Sequence, residues 1–235
     1  MKKFAFVTDL HLDEPFPISQ GANARQNFAV VLNDIRRRGI SEVVLGGDLG
    51  ENDSNQWLFD QLHDLEVSLV LGNHDELTSV GQYYRQHQNE PGKELYFVME
   101  GAELKRVYLD SSSGTISNRQ LEWFREHMIG QKPLMLFIHH CIFPVPSAID
   151  EKHSLSNRDQ LQELLRGSNL PTTIFCGHYH MDDVQTIGEI RQVITPAVSY
   201  QVVKPARPIA THADSFGYRV VTINEAQITE ELVTF

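Results

Sequence analysis

Residue types that bind metal ions recur at five points of the sequence, each time within a motif of two to four residues. Aspartate oxygens and imidazole nitrogens are good ligands for first-row transition metals. A lone histidine is usually a surface residue or a hydrogen-bonded core residue, but six of the eleven histidines fall in these motifs. The set therefore predicts a shared metal site, and its motifs are Asp9-x-His11, Gly47-Asp48, Gly72-Asn73-His74-Asp75, His139-His140 and Gly177-His178-x-His180.

Each motif directly follows an apolar run that predicts a buried β-strand. The carboxyl ends of parallel strands share one edge of a sheet, and ligands bind at that edge. In Asp9-x-His11 and His178-x-His180, alternate residues of an extended chain point to the same side and can act together. The elements thus predict that all five motifs converge on one place.

The hydrophobic pattern predicts alternating strands and helices, followed by a β-rich tail from Ile187 to Phe235. Repeated strand–helix–strand units imply a parallel sheet with helices outside it. In the tail, turn residues such as Asn224-Glu225 indicate antiparallel strands and a closing hairpin. The predicted strands are 4–7, 43–45, 67–71, 94–98, 104–109, 134–138 and 172–176, the helices are 23–38, 54–64, 79–88, 117–128 and 157–166, and 144–157 is a polar loop.

Length and composition suit one globular domain, residues 1–235, since 41% of the residues are hydrophobic. Two cysteines, Cys141 and Cys176, do not make a disulfide framework. Their small number points to a reducing compartment, and we expect a cytoplasmic protein. Both flank motif residues, so they are either small buried fillers or neighbours of the site.

The net charge of −11 bears on the partners. An acidic surface repels nucleic acid polymers, and no apolar stretch is long enough to cross a membrane. A small anionic substrate remains compatible, because bound metal ions reverse the sign of the charge locally. The oligomeric state stays open, with a homodimer as one alternative.

In this order, over residues 9–180, the motifs resemble those of the calcineurin-like metallophosphoesterase superfamily. The resemblance implies an α/β fold, a four-layer αββα sandwich of two packed β-sheets flanked by helices. It also implies two metal ions, Fe or Mn, with Zn and Co as alternatives. By this resemblance Asp48 bridges both ions, Asp9, His11 and His180 complete the first site, and Asn73, His139 and His178 complete the second.

The resemblance also assigns residues that bind no metal. His74 is the histidine near the leaving group, and Asp75 orients it. His140 either supports a ligand or faces the substrate. Asn157 is a phosphate or sugar contact, or else a helix cap. The serines 111–113 form a loop, because no histidine base lies nearby in the sequence.

Ser147–Leu161, Thr195–Pro205 and Gly217-Tyr218-Arg219 further resemble bacterial class III cyclic nucleotide phosphodiesterases. This implies hydrolysis of a small phosphodiester by a metal-bridging hydroxide, with 3′,5′-cyclic AMP giving 5′-AMP as the first candidate. A glycerophosphodiester, a phosphomonoester or a dinucleotide are alternative substrates. An inactive binding scaffold is a further alternative, but it should show gaps in the ligand set, and this set is complete.

Overall fold

Two mixed β-sheets pack face to face in a computed structural model that describes residues 1–86 and 93–235. In the first sheet the three strands nearest the amino terminus run parallel and the two from the carboxyl terminus run antiparallel. The order in this sheet is β13 (Gln227–Thr234), β12 (Gly217–Asn224), β1 (Lys2–Val7), β2 (Glu42–Leu45) and β3 (Glu66–Leu69).

The second sheet has four central parallel strands and an antiparallel strand at each edge. A separate two-stranded ribbon joins β10 (Gln201–Val202) to β11 (Thr211–His212). The order in the second sheet is β4 (Phe97–Glu100), β5 (Lys105–Tyr108), β6 (Leu134–Phe137), β7 (Thr172–Cys176), β9 (Ile190–Ile194) and β8 (Asp183–Ile187).

Helices flank the two sheets, which confirms the predicted αββα sandwich. Among the described helices three begin at side-chain caps: Asn23 accepts from the amide of Gln26, Ser117 from that of Gln120 and Ser147 from that of Asp150. The helices are α1 (Pro15–Ser19), α2 (Ala24–Arg37), α3 (Asn55–Gln61, after a 3₁₀ turn at Asn52–Ser54), α4 (Leu77–Val80), α5 (Asn118–His127), α6 (Ala148–His153) and α7 (Arg158–Ser168).

Aromatic side chains fill the space between the sheets. The ring centroids of Phe4 and Phe137 are 5.8 Å apart, and those of Phe6 and Phe175 are 5.7 Å apart. Because alternate residues of a strand face opposite sides, Leu136 instead joins a second apolar cluster that includes residues of α5 and α7. Buried aromatic and aliphatic contacts thus fix the two sheets relative to each other, and with them the strand ends.

Two predictions about elements were wrong, and a third was incomplete. The described part of the predicted helix 79–88 is only α4 followed by turns, and residues 87 and 88 lie outside the described residues. The helix ends at Gly81, after which Tyr83 stacks on Phe59. The polar loop 144–157 contains α6. The strand β9 pairs antiparallel with β8, as expected for the tail, but it also pairs parallel with β7.

Among the described residues, no helix is both long and apolar enough to span a lipid bilayer.

Candidate metal centre

The carboxyl ends of five strands, three from the first sheet and two from the second, carry the five motifs. Besides a group made of His11, Glu14 and His74, two inner groups of side chains there have potential ligand atoms within 4.8 Å of one another. Asp48 belongs to both groups, which is the position that a bridging ligand would need, and its bridging role stays a prediction. The first group adds Asp9, His11 and His180, and the second adds His139 and His178.

The four histidines of these groups share one arrangement. In each ring, one nitrogen meets an oxygen acceptor outside the cluster and the other nitrogen faces inward. The inner nitrogens of His11 and His180 are 3.1 Å apart, and those of His139 and His178 are 3.2 Å apart. The outer partners are Glu14 Oε2 for His11 (2.9 Å), Gly46 O for His139 (2.9 Å), His153 O for His178 (2.7 Å) and Tyr200 O for His180 (2.9 Å).

An outer acceptor holds the proton of a neutral imidazole and leaves the lone pair of the other nitrogen for a metal ion. Together with the ionised carboxylates of Asp9 and Asp48, the donor set of the cluster consists of nitrogen and oxygen. Such a set fits first-row divalent ions. The residues present therefore fit the metal ions that the sequence resemblance implies.

The charges within the cluster are complementary. Burial alone would raise the pKa of Asp9, but the facing imidazoles of His180 and His139 lower it to about 2. Burial likewise opposes ionisation of Asp48, and His139 holds its pKa well below the usual range. Although burial would lower the pKa of His139, the Asp48 carboxylate raises it to about 10, so a metal ion that binds this ring would displace its inner proton. Both carboxylates are thus anionic at neutral pH and able to bind cations.

Left-handed backbone turns accompany the site. Positive φ angles, 45° to 66°, occur at Asp9, His11, Asp48, His178 and His180. Aspartate and histidine adopt this conformation more readily than most residues other than glycine. Close approach also requires glycine at two places, because a Cβ atom at Gly177 would collide with Asp9, and one at Gly72 with Asp48.

Asp75 does not orient His74, so that prediction was wrong. Its Oδ2 accepts hydrogen bonds from the amides of Gly72 and Asp48, and its Oδ1 accepts one from Leu49, all at 2.8 Å. Burial and the neighbouring Asp48 charge raise the pKa of Asp75 to about 7. Asp75 therefore joins the loops after β2 and β3, and acts on the position of Asp48.

Glu14 is the carboxylate that contacts His74, at 3.0 Å between Oε2 and Nδ1. That hydrogen bond raises the pKa of His74 to about 9, against a smaller opposing effect of burial. The His74 side chain is 45% exposed, and its ring stands edge-on to that of His11 with centroids 4.7 Å apart. It is thus open to a bound molecule while it lies next to the cluster.

His140 is buried beside the cluster, with its ring centroid 4.1 Å from that of His178. Its Nδ1 lies 2.9 Å from Ser111 Oγ, so this serine has a histidine partner. The contact could not be predicted from the sequence, because 29 positions separate the two residues. Burial, aided by the neighbouring His178, lowers the pKa of His140. His140 is therefore neutral, and its substrate contact stays a prediction.

Asn157 is engaged away from the cluster. Its side chain accepts a hydrogen bond from the amide of Ile116 at 2.9 Å and donates one to the carbonyl of Ile116 at 2.8 Å. Asn157 occupies the N-cap position of α7, as the helix-cap alternative expects, but its side chain makes no capping hydrogen bond. A substrate contact would compete with these bonds.

Asn73 is exposed at the end of β3, and its ligand role also stays a prediction.

Other contacts of the site were missed in the sequence. Glu14 stands three residues after His11, a spacing that could have drawn attention to it. His153 lies at the end of α6, which Ser147 caps by accepting from the amide of Asp150. Ser-x-x-Asp is close to a capping-box pattern and could have revealed that helix.

The thiols of Cys141 and Cys176 are buried 3.4 Å apart beside the ligand strands.

Residues 2–182 match the family model described as calcineurin-like phosphoesterase. The protein therefore belongs to the calcineurin-like phosphoesterase family, and it is a metal-dependent phosphoester hydrolase. The family and the buried Asp/His cluster together indicate a dinuclear metal site.

The names of relatives agree with this family, and a solved structure shares the fold. The chain is 29% identical to a "probable cyclic nucleotide phosphodiesterase" of Pseudoalteromonas sp., over 96% of this chain and 89% of the relative. It is 27% identical to a "3′,5′-cyclic adenosine monophosphate phosphodiesterase" of Haemophilus influenzae, over 85% and 77%. A dimetal phosphatase from Danio rerio shares the fold, with a TM-score of 0.72 at 14% identity and coverage of 99% and 98%.

Proposed function

We propose that the protein is a dinuclear-metal phosphodiesterase that hydrolyses a small phosphodiester, with 3′,5′-cyclic AMP giving 5′-AMP as the preferred substrate. The observation that carries this proposal is the set of four imidazoles, each anchored from outside and turned inward around Asp9 and Asp48. The names of the relatives at 27–29% identity favour a cyclic nucleotide as substrate.

In this proposal Asp48 serves both metal ions, Asp9, His11 and His180 hold one, and Asn73, His139 and His178 hold the other. The nitrogen and oxygen donors suit Fe and Mn, with Zn and Co as alternatives. Two bound ions supply an activated water and positive charge for the phosphoryl oxygens.

The residues of the chain that bind no metal position the substrate and move protons. With its pKa of about 9, His74 is protonated at neutral pH and can donate a proton to the leaving oxygen. Asp75 holds the loops that carry Asp48 and Gly72 through its three hydrogen bonds. His140, held by Ser111, supplies a neutral face beside His178.

An aromatic surface beside the cluster supports a substrate with an organic group. The Tyr200 ring lies 4.3 Å from that of His180, and the Phe16 ring lies 5.2 Å from Tyr200, centroid to centroid. Phe16 is half-exposed on α1, and Ile18 nearby is 60% exposed. Aromatic faces stack well on nucleobases.

A hydrolysis panel with added Mn²⁺ tests the substrate class. Cyclic AMP should be cleaved to 5′-AMP, and bis-p-nitrophenyl phosphate should exceed p-nitrophenyl phosphate in kcat/KM. Selectivity between cyclic AMP and cyclic GMP should stay below about tenfold, because no buried polar set that would reject one base is evident beside the cluster among the described residues. A clear preference for the monoester, or no cleavage of any cyclic nucleotide, would overturn the diesterase proposal and leave only the phosphoester hydrolase.

Phe16→Ala should raise the KM for cyclic AMP about tenfold, because base–aromatic stacking contributes about 1–3 kcal/mol. The inhibition constant of inorganic phosphate, which has no organic group, should change less than twofold. Ile129→Ala is the control, since Ile129 is 75% exposed and follows α5, away from the cluster. Equal shifts in both constants would mean that Phe16 only supports the fold near α1.

A further inference from the structure

Glu14 occupies a place between two histidines with different tasks. Its Oε2 atom lies 2.9 Å from Nδ1 of His11 and 3.0 Å from Nδ1 of His74. Its side chain is only 11% exposed. One carboxylate oxygen therefore accepts hydrogen bonds from both rings.

The backbone before Glu14 is fixed by the neighbouring strand end. Leu12 donates to the carbonyl of Leu49 at 3.1 Å and accepts from the amide of Glu51 at 2.9 Å. The amide of Glu14 itself donates to the carbonyl of His11 at 3.3 Å. The carboxylate is thus carried by a tight turn tied to the loop after β2, and its position relative to Asp48 is set by the fold.

Each histidine depends on this contact for its orientation. The opposite nitrogen of His11, Nε2, faces the cluster at 3.5 Å from Asp48 Oδ2. His74 receives no side-chain hydrogen bond from Asp75, whose oxygens are occupied by amides. Among residues 1–86 and 93–235, Glu14 is the carboxylate that meets the His74 ring within 4 Å.

We propose that Glu14 is a positioning residue that holds a metal ligand, His11, and the leaving-group histidine, His74, at a fixed distance through one shared oxygen. This rests on the proposed function for the role of His74, whereas its effect on His11 concerns metal binding alone. The positioning role requires an acceptor oxygen at this length of side chain and does not require a charge. A purely electrostatic role would require the negative charge instead.

Three substitutions separate the two roles. Glu14→Gln keeps an acceptor oxygen at the same reach and removes the charge. Glu14→Asp keeps the charge and shortens the side chain by one methylene, so one oxygen no longer reaches both rings. Glu14→Ala removes both. Asp13→Asn is the matched control, because Asp13 is the preceding residue and its carboxylate pairs with Arg25 at 2.8 Å.

The first readout is metal retention without substrate, measured as Mn²⁺ content during titration with a chelator. We expect about 10–100-fold weaker retention in Glu14→Ala and Glu14→Asp, in the range found when partners of metal ligands are removed. Glu14→Gln and Asp13→Asn should stay within about threefold of the wild type. If metal retention instead depends on the charge, Glu14→Asp will be close to the wild type and Glu14→Gln will retain Mn²⁺ weakly. That result would overturn the positioning role.

The second readout is kcat/KM for two diesters that differ only in the leaving group, phenol or p-nitrophenol. With enough Mn²⁺ to saturate both sites, Glu14→Ala should lower kcat/KM for the phenyl ester at least tenfold more than for the p-nitrophenyl ester. Combining it with His74→Ala should then add little to the loss on the phenyl ester. Additive losses would show that Glu14 does not act through His74. If the wild type cleaves neither ester, the proposed function fails, while the metal titration still decides the contact with His11.

Discussion

Asp48→Asn should abolish phosphoester hydrolysis and reduce the metal content from two ions toward one or none, with the fold retained. Asp48 is the residue that both ligand groups share. Its Oδ2 lies 3.3 Å from His139 and 3.5 Å from His11, and its Oδ1 accepts a hydrogen bond from the amide of His74 at 2.9 Å. Loss of its charge therefore weakens both metal sites at once.

Asparagine is a better-controlled substitution than alanine at position 48. The backbone of Asp48 has φ of 53°, which asparagine tolerates and alanine adopts only with strain. The measurements are elemental analysis for metals, circular dichroism for the fold and hydrolysis of bis-p-nitrophenyl phosphate. Asp13→Asn, also at a positive φ of 63°, controls for the backbone. Full metal occupancy in Asp48→Asn would show that the bridge is assigned wrongly.

His74→Ala should lower turnover about 10²–10⁴-fold while both metal ions remain bound, the range typical of a general acid or base. His74 is outside the two inner ligand groups, and its side chain is 45% exposed toward a bound molecule. The loss should shrink for esters of p-nitrophenol, because that leaving group needs little protonation.

The control for His74→Ala is His63→Ala, because His63 is an exposed histidine whose Nδ1 contacts the carbonyl of Asp60. Single-turnover rates for a phenol and a p-nitrophenol ester, with metal content measured in parallel, give the comparison. Equal losses for both esters would contradict the general-acid role and favour positioning of the phosphate. Loss of metal would show that His74 supports the cluster instead.

The sequence predicted the strand-end residues well because their signal is local. An apolar strand followed by Asp or His reveals its own place at a sheet edge, and the structure brings Asp9, Asp48 and His139 together there. The contacts that hold these site residues in place were harder to predict. The family resemblance assigns Asp75 to His74, but adjacent residues in a turn need not face each other, and Asp75 turns back to the amide of Gly72.

Contacts between distant segments were not predictable in this way. His178 is held by the carbonyl of His153, and His180 by that of Tyr200. Carbonyl groups carry no sequence signal, since every residue has one. The parallel pairing of β9 with β7 was missed for a similar reason, because its short apolar run resembles an antiparallel strand and only tertiary packing selects the neighbour.

Five strand-end residues have a left-handed backbone that is needed for the site but lowers the stability of the fold. They are Asp9, His11, Asp48, His178 and His180. This conformation costs most residues other than glycine about 1–2 kcal/mol, and aspartate and histidine somewhat less, whereas a whole domain is stable by only about 5–15 kcal/mol. Selection for heat resistance alone would favour glycine at these five positions and would thereby delete the site. An engineered thermostable variant should therefore take its substitutions from helix surfaces and loops, and keep these strained residues.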